Sequence, residues 1–186
     1  KSTHFRPTDW PREDLILLSG DSAGGVDVFA IAPDGRGGPK PILASKFYES
    51  GASLSPDGKW IAYTSNESGK HEVFLQAFPG PGGKTQVSVG GGNAAEWSHS
   101  GREIFYISGE NLMVASVETT PRLRVSRPRR VFEKEMPGYR LDKGFEISPD
   151  DRRLLLVKSD PARQLAHQMI LVLHWDDELR RRVPAR

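Results

Sequence analysis

Short runs rich in β-branched and aromatic residues alternate along the chain with clusters of Gly, Pro, Asp and Ser. The run KWIAYTS at residues 59–65 follows the tetrapeptide SPDG, and the run HEVFLQA at residues 71–77 follows NESGK. Runs of this length are too short for helices, and Pro, Asp and Gly at successive turn positions join antiparallel strands. The stretch 52–89 is therefore predicted to form a four-stranded antiparallel meander.

This pattern recurs along the chain. Gly58, before KWIAYTS, is matched about 43 residues later by Gly101, before REIFYIS, and about 50 residues further on by Asp151, before RRLLLVKS. A repeat in the forties with four strands is typical of β-propeller blades, each of which stacks on a neighbour to bury its faces. We therefore predict an all-β fold, a β-propeller of about four four-stranded antiparallel blades.

The repeat also predicts blade boundaries, at about residues 5–45, 51–89, 93–133 and 143–179, with a basic tail at 180–186. The last blade lacks an outer strand. Propellers usually close by pairing a strand from one terminus with the blade at the other. We favour an arc of a larger ring, of about six to eight blades, over a four-bladed ring or a half-ring that dimerises through its exposed blade faces.

The repeats SPDGKWIAYTSNESGKHEVF and SHSGREIFYISGENLMV resemble the WD-type propeller repeats of bacterial TolB-like proteins. Similar propellers occur at the C-terminal end of bacterial receptor-like serine/threonine kinases and of some membrane-anchored transcriptional regulators, and the ending MILVLHW resembles their last blade. The resemblance implies a non-enzymatic binding or sensor region of a larger bacterial envelope or signalling protein. It also implies an extracytoplasmic location, in the periplasm or cell envelope.

Composition narrows the possible functions. The 186 residues are 37% hydrophobic and 27% charged with a net charge of +2, which is ordinary for a globular domain and less basic than a dedicated nucleic-acid-binding domain usually is. The apolar runs are far shorter than the ~20 residues that a membrane helix needs. The lack of Cys excludes disulfides and thiolate metal sites. Because the chain begins at Lys1 with neither Met nor a leader, we expect a segment of a longer protein.

The sequence GDSAGG at residues 20–25 has the form of a nucleophile elbow with Ser22 as the nucleophile. An elbow needs a helix after the serine, whereas residues 26–32 have strand composition and align with a strand of the second blade. No HGGG stretch lies upstream to supply oxyanion-hole donors. We interpret GDSAGG as the hairpin between two strands and predict no catalytic residue.

We predict neither a metal nor a cofactor. His167 and His174 are an odd number of residues apart, which places them on opposite faces of a strand, and no HExxH-type spacing is present. Asp57 and Asp150 lie in the repeated turns, where an Asp carboxylate caps backbone N–H groups. The acidic run 176–178 is interpreted as solvated, and the arginine-rich run 122–130 as protection of an exposed strand edge.

Aromatic residues recur at equivalent places in the repeats. We expect all of them to pack between blades rather than to bind a ligand. They are Trp10, Trp60, Tyr63, Phe74, Trp97, Phe105 and Tyr106.

Binding residues are expected in the loops, because rigid blades hold the loops of a propeller in fixed positions. The most unusual loops are KEMPGYRLDK at residues 134–143 and, one blade earlier, FYE at residues 47–49. Tyr and Arg are enriched at protein interfaces. We predict contacts with a protein, peptide or cell-wall partner, and not with nucleic acid, at Phe47, Tyr48, Glu49, Tyr139 and Arg140.

Two other functions stay open. Similar propellers gate prolyl-oligopeptidase-like peptidases and form some polysaccharide lyases, and a cluster of His, Lys or Arg at the channel mouth would favour the lyase. A self-assembling half-propeller would be a dimer in solution.

Overall fold

The computed structural model describes residues 4–22, 25–80, 82–132, 145–159 and 166–173. Their regular elements are β-strands, and these residues contain no helix long and apolar enough to span a membrane. In chain order the strands are β1 (Phe5–Arg12), β2 (Leu15–Ser22), β3 (Gly25–Ile31), β4 (Lys40–Leu43), β5 (Glu49–Leu54), β6 (Trp60–Ser65), β7 (Glu72–Ala77), β8 (Lys84–Gln86), β9 (Asn93–Trp97), β10 (Glu103–Ser108), β11 (Asn111–Glu118), β12 (Arg124–Val125), β13 (Arg129–Arg130), β14 (Phe145–Ile147), β15 (Arg153–Ser159) and β16 (Ala166–Leu173).

These strands form four antiparallel sheets, which we call blades 1 to 4. Blade 1 has the strand order β1-β2-β3-β4, and blade 2 has the order β5-β6-β7-β8. Blade 3 runs β9-β10-β11-β12, and blade 4 contains β14-β15-β16 in the described part of the chain. The prediction of successive antiparallel meanders is confirmed.

The outer edge of blade 3 is divided into two short strands, whereas the repeat predicts a single outer strand for this blade. Two short strands, β12 and β13, pair with different parts of β11: Val125 lies opposite Val117, and Arg130 lies opposite Met113. Pro128 lies between them and has no N–H to donate to the ladder, so the outer edge is interrupted there.

The repeated turn between the first two strands of a blade has the predicted chemistry. In blade 2 the backbone N–H of Gly58 donates to the carbonyl of Ser55 at 2.8 Å, and Gly58 has φ 70°. The carboxylate of Asp57 accepts a hydrogen bond from the backbone N–H of Lys59 at 3.1 Å. Asp150 caps the equivalent turn of blade 4 in the same way, through the N–H of Arg152 at 3.2 Å.

Among the described residues, three apolar clusters hold the blades together, one at each junction. Leu17 of blade 1 packs with Ile61 of blade 2, and Leu75 of blade 2 packs in one cluster with Ile104 of blade 3. At the third junction the fully buried Phe105 shares a cluster with residues of blade 4. Burial of one such side chain contributes roughly 1.5–3 kcal/mol, so stacking of the blades dominates the stability of the array.

Trp97 and Trp10 have opposite environments although they occupy equivalent positions in the repeat. Trp97 is 6% exposed and packs against blade 2, as predicted. Trp10 is 65% exposed, so the prediction that it packs between blades is wrong. The reason is that Trp97 has a preceding blade to cover it, whereas no described residue forms a blade before blade 1.

The described residues of the GDSAGG segment lie at the end of β2 and the start of β3. Ser22 pairs with Gly25 across the antiparallel ladder, and Gly20 pairs with Asp27. A strand therefore follows the serine, which confirms the hairpin interpretation.

Candidate functional site

The loop from β4 to β5 lies beside the hairpin that joins β6 to β7. The backbone N–H of Tyr48 donates to Oδ1 of Asn66 at 2.9 Å, and the backbone N–H of Asn66 donates back to the carbonyl of Tyr48 at 3.3 Å. Residues 44–48 and 66–71 thus form one surface, which we call the hairpin face. In blade 2 the loop that enters the inner strand therefore shares a face with the hairpin between the second and third strands.

The Tyr48 ring is fixed from a second side by His71. The two ring centroids are 4.9 Å apart with an interplanar angle of 32°. His71 is exposed and Tyr48 is half-buried. Since the backbone and one ring face already hold Tyr48, the rest of the ring is presented to solvent in a fixed position.

Phe47 and Lys46 lie next to this aromatic pair. The backbone N–H of Phe47 donates to Oγ of Ser45 at 3.0 Å, and Nζ of Lys46 lies 5.2 Å from the centroid of the Phe47 ring. Lys46 is exposed and Phe47 is half-buried. The hairpin face therefore combines aromatic surface with a positive charge.

The buried side chain of Glu49 stabilises this loop. Its side chain is only 5% exposed, and its carboxylate accepts hydrogen bonds from both the backbone N–H and the hydroxyl of Ser45. Charge-assisted hydrogen bonds of this kind are the stronger class. Glu49 therefore braces the loop that carries Lys46 and Phe47.

A concave cavity of about 610 Å³ lies along the inner strands of all four blades, at the other ends of these strands from the hairpin face. We call it the inner groove. It is lined by Thr8, Asp9, Trp10, Pro11, Gly51, Ala52, Ser53, Leu54, Ser55, Pro56, Ala94, Ala95, Glu96, Trp97, Ser98, His99, Glu146 and Ile147.

The inner groove is acidic. Asp9, Glu96 and Glu146 line it, and none of the described lining residues is Lys or Arg. One carboxylate oxygen of Asp9 accepts a hydrogen bond from the backbone N–H of Leu54 at 2.8 Å, which ties blade 1 to blade 2 at the groove wall.

A second cavity of about 780 Å³ lies between blades 2 and 3 and shares Ser55, Pro56 and Trp97 with the inner groove. Glu103 lines this second cavity. Burial raises the pKa of its carboxyl above the ordinary value, and the positive charge of Arg129 offsets only part of that rise. Nη2 of Arg129 lies 3.3 Å from Oε1 of Glu103. Within the described residues no group of three or more His, Cys, Asp or Glu is arranged to hold a metal ion.

Solved structures of other proteins are similar to this arrangement of blades. TolB from Agrobacterium tumefaciens is 19% identical, with a TM-score of 0.62 over 87% of this chain and 58% of that chain. TolB from Acinetobacter baumannii is also 19% identical, with a TM-score of 0.65 over 94% of this chain and 41% of that chain. The chain folds as a TolB-like β-propeller.

Other propellers are also similar. An oligogalacturonate lyase in complex with manganese is 15% identical, with a TM-score of 0.59 over 94% of this chain and 49% of that chain. No family model and no curated protein matches the sequence. This chain spans less than two thirds of either TolB chain, and the arc of blades corresponds to part of their propeller-containing structures.

The TolB-like propeller brings together part of the predicted site. Phe47 and Tyr48 lie on the hairpin face, Glu49 lies beneath it, and Tyr139 and Arg140 lie outside the described residues. The sequence pattern indicates neither His71 nor Asn66 as a binding residue. An Asn directly after a strand is a typical turn former, and this is the signal that points to Asn66.

Proposed function

We propose that this propeller is the non-enzymatic binding or sensor region of a larger bacterial envelope or signalling protein. It recognises a protein, peptide or cell-wall ligand through its blade loops. The observation that carries this proposal is the fixed position of Tyr48 between Asn66 and His71. An aromatic side chain that is already ordered loses little conformational entropy on binding, which is why such residues dominate interface energetics.

Two further observations support a binding role. The serine of GDSAGG sits in a β-hairpin rather than between a strand and a helix. The similarity to TolB proteins supports an extracytoplasmic location, and an effector such as a kinase elsewhere in a longer chain belongs to the same proposal.

The alternative of a lyase or an accessory propeller is favoured by the similarity to the oligogalacturonate lyase. A polyanionic sugar requires cationic residues in the groove. The described lining of the inner groove instead carries carboxylates and one histidine, His99. The alternative of a dimer through exposed blade faces is tested by the mass of the chain in solution at high concentration, where a monomer contradicts it.

The test of the proposed function uses the immobilised chain against separate fractions of envelope proteins and soluble cell-wall fragments. A ligand that binds the wild-type chain should bind the Tyr48→Ala variant about 5- to 30-fold more weakly, since a central interface aromatic contributes about 1–2 kcal/mol or more. Tyr48→Phe, which keeps the ring and its stacking on His71, should retain most of the affinity.

Phe5→Ala is the matched control, because Phe5 is a partly exposed aromatic residue of blade 1, outside the hairpin face. Equal binding by the wild-type chain and Tyr48→Ala contradicts the proposal. An equal loss of affinity in Phe5→Ala and Tyr48→Ala also contradicts the proposal, because such a result shows that the hairpin face is not the contact surface.

A further inference from the structure

We infer that the partner of the hairpin face is a peptide segment that presents an acidic side chain next to an apolar one. The inference rests on the proposed function, because it names the chemistry of the ligand for the same face. It depends on the exposed charges of that face and on an adjoining loop of blade 3, rather than on the ring of Tyr48. It can therefore fail while the proposed function stands.

The exposed charges of the hairpin face are positive. Lys46 and Lys70 are exposed, and within the described residues neither ammonium group takes part in an ion pair. The acidic side chains of the same region are already engaged. The carboxylate of Glu67 pairs with Lys84, and that of Glu49 is buried and accepts hydrogen bonds from the loop. A ligand that approaches the face meets two unpaired cations, which favours a carboxylate on the ligand.

The neighbouring blades carry the opposite charge at the equivalent hairpins. Asp21 lies at the β2–β3 hairpin of blade 1, and Glu110 lies at the β10–β11 hairpin of blade 3. Both residues are exposed. Like charges that face each other across an interface repel, so these acids disfavour a ligand that is negative along its whole length. The hairpin face therefore suits an acidic side chain placed over blade 2.

A loop of blade 3 adjoins the hairpin face. Residues 88–92, which we call the glycine loop, lead from β8 to the inner strand β9. The backbone N–H of Gly92 donates to the carbonyl of His71 at 2.8 Å. The backbone N–H of Gly91 donates to Oε1 of Glu72 at 2.8 Å, and Glu72 is only 4% exposed. These two hydrogen bonds hold the glycine loop beside His71.

Val89 is the apolar part of the glycine loop. The residue is 79% exposed, and Gly90 and Gly91 follow it without side chains, so the backbone of a ligand can approach closely. An apolar ligand side chain that covers Val89 removes both apolar surfaces from water. Lys70 precedes His71 in the chain, and the glycine loop is bonded to His71. An acidic and an apolar residue that are neighbours in a ligand therefore match Lys70 and Val89.

The probe is a capped peptide of repeated leucine, glutamate and glycine, titrated into the 186-residue chain by calorimetry. The comparison ligands are a leucine-lysine-glycine peptide and a serine-glutamate-glycine peptide of the same length, together with inorganic polyphosphate. We expect the peptide that contains leucine and glutamate to bind most tightly, with an affinity that falls as salt is raised. Equal or tighter binding of any comparison ligand overturns the inference, and so does the absence of binding by the probe peptide.

Two variants of exposed residues locate the probe peptide on this surface. Lys70→Gln should weaken its binding about 2- to 5-fold and make the affinity less dependent on salt. Val89→Ser should weaken it about 3- to 10-fold. Lys59→Gln is the matched charge control and should leave the affinity unchanged, because Lys59 is exposed at the β5–β6 turn, at the other end of β6. Unchanged affinity in either Lys70→Gln or Val89→Ser overturns the inference, and so does a loss in Lys59→Gln equal to that in Lys70→Gln.

The same variants separate this inference from the proposed function. If Tyr48→Ala loses a ligand from the envelope fractions while Lys70→Gln and Val89→Ser retain it, the face binds a ligand and the inferred chemistry is wrong. If Lys70→Gln and Val89→Ser weaken the probe peptide while Tyr48→Ala binds every fraction as the wild-type chain does, the inferred chemistry stands and the role of Tyr48 is contradicted.

Discussion

Asp151 ties blade 4 to blade 3, because its carboxylate accepts hydrogen bonds from the backbone N–H groups of His99 and Ser100, both at 2.7 Å. Asp151 occupies the turn position that is glycine in the two preceding blades, and it has φ 56°. Asp is one of the few residues that tolerate this left-handed conformation. Its side chain therefore adds a contact between blades that glycine cannot make.

Replacement of Asp151 should destabilise the junction of blades 3 and 4. Asp151→Ala removes two charge-assisted hydrogen bonds and puts a Cβ without a compensating contact at positive φ, so we expect a loss of about 1–3 kcal/mol. Asp151→Gly loses the hydrogen bonds but relieves the backbone, and should cost less than Asp151→Ala. Urea unfolding of the three proteins measures the difference, and equal stability of wild type and Asp151→Ala contradicts the role of the carboxylate.

Trp97 and Trp10 should respond differently to the same substitution. Trp97→Ala leaves a cavity in the cluster between blades 2 and 3 and should cost about 3–5 kcal/mol. Trp10→Ala removes a side chain that is 65% exposed and should change the free energy of unfolding by about 0.5 kcal/mol or less. Thermal unfolding followed by far-UV circular dichroism compares them. Similar losses in both variants would contradict the exposure of Trp10.

The repeated turns should make folding sensitive to acid. A hydrogen bond from the Ser55 hydroxyl lowers the pKa of Asp57, and one from Ser148 lowers the pKa of Asp150. A lowered carboxyl pKa contributes stability above its ordinary value near 4, and this contribution is lost as the pH falls through the folded-state pKa.

Ser55→Ala should therefore raise the pKa of Asp57 and leave that of Asp150 unchanged, and Ser148→Ala should do the reverse. Titration of the side-chain carboxyl carbons by NMR measures both pKa values in each variant. The two serines serve as controls for each other. An unchanged pKa of Asp57 in Ser55→Ala would show that the hydroxyl does not hold the carboxylate.

Glu103 should show the opposite dependence on pH. Burial raises its pKa, so the folded state keeps this proton to a higher pH than the unfolded state does. Its contribution to stability therefore falls as the pH rises from the ordinary carboxyl value through the raised pKa. Arg129→Met removes the charge that opposes this shift and should raise the pKa of Glu103 further, as measured by NMR. A lower pKa in that variant contradicts the assignment.

Local chemistry made the strands and turns predictable. The run 59–65 predicts a strand because it is short, rich in aromatic and β-branched residues and preceded by turn residues. Asp57 is predictable as a turn residue because its carboxylate reaches groups within two residues of it, the Ser55 hydroxyl and the Lys59 N–H. Both properties depend on neighbours within a few residues. The hairpin at Ser22 was predictable for the same reason, since the strand that follows it has a counterpart in blade 2.

The candidate sites depend on residues that are far apart in the chain. The sequence pointed to Phe47 and Tyr48, but not to Asn66 and His71, which hold Tyr48, nor to the inward direction of Glu49. The acidic character of the inner groove was equally hidden, because Asp9 and Glu146 belong to different blades.

The sequence by itself determined the repeat, the strand order within each blade and the turn chemistry, since these arise from short-range periodicity and local hydrogen bonding. Only the tertiary structure decided that Trp97 is buried while Trp10 is exposed, and that three carboxylates share one groove. The physical reason is that burial and electrostatic potential depend on which blade covers a residue. The stacking of blades brings together residues that are far apart in the chain, and a local sequence pattern does not contain this information.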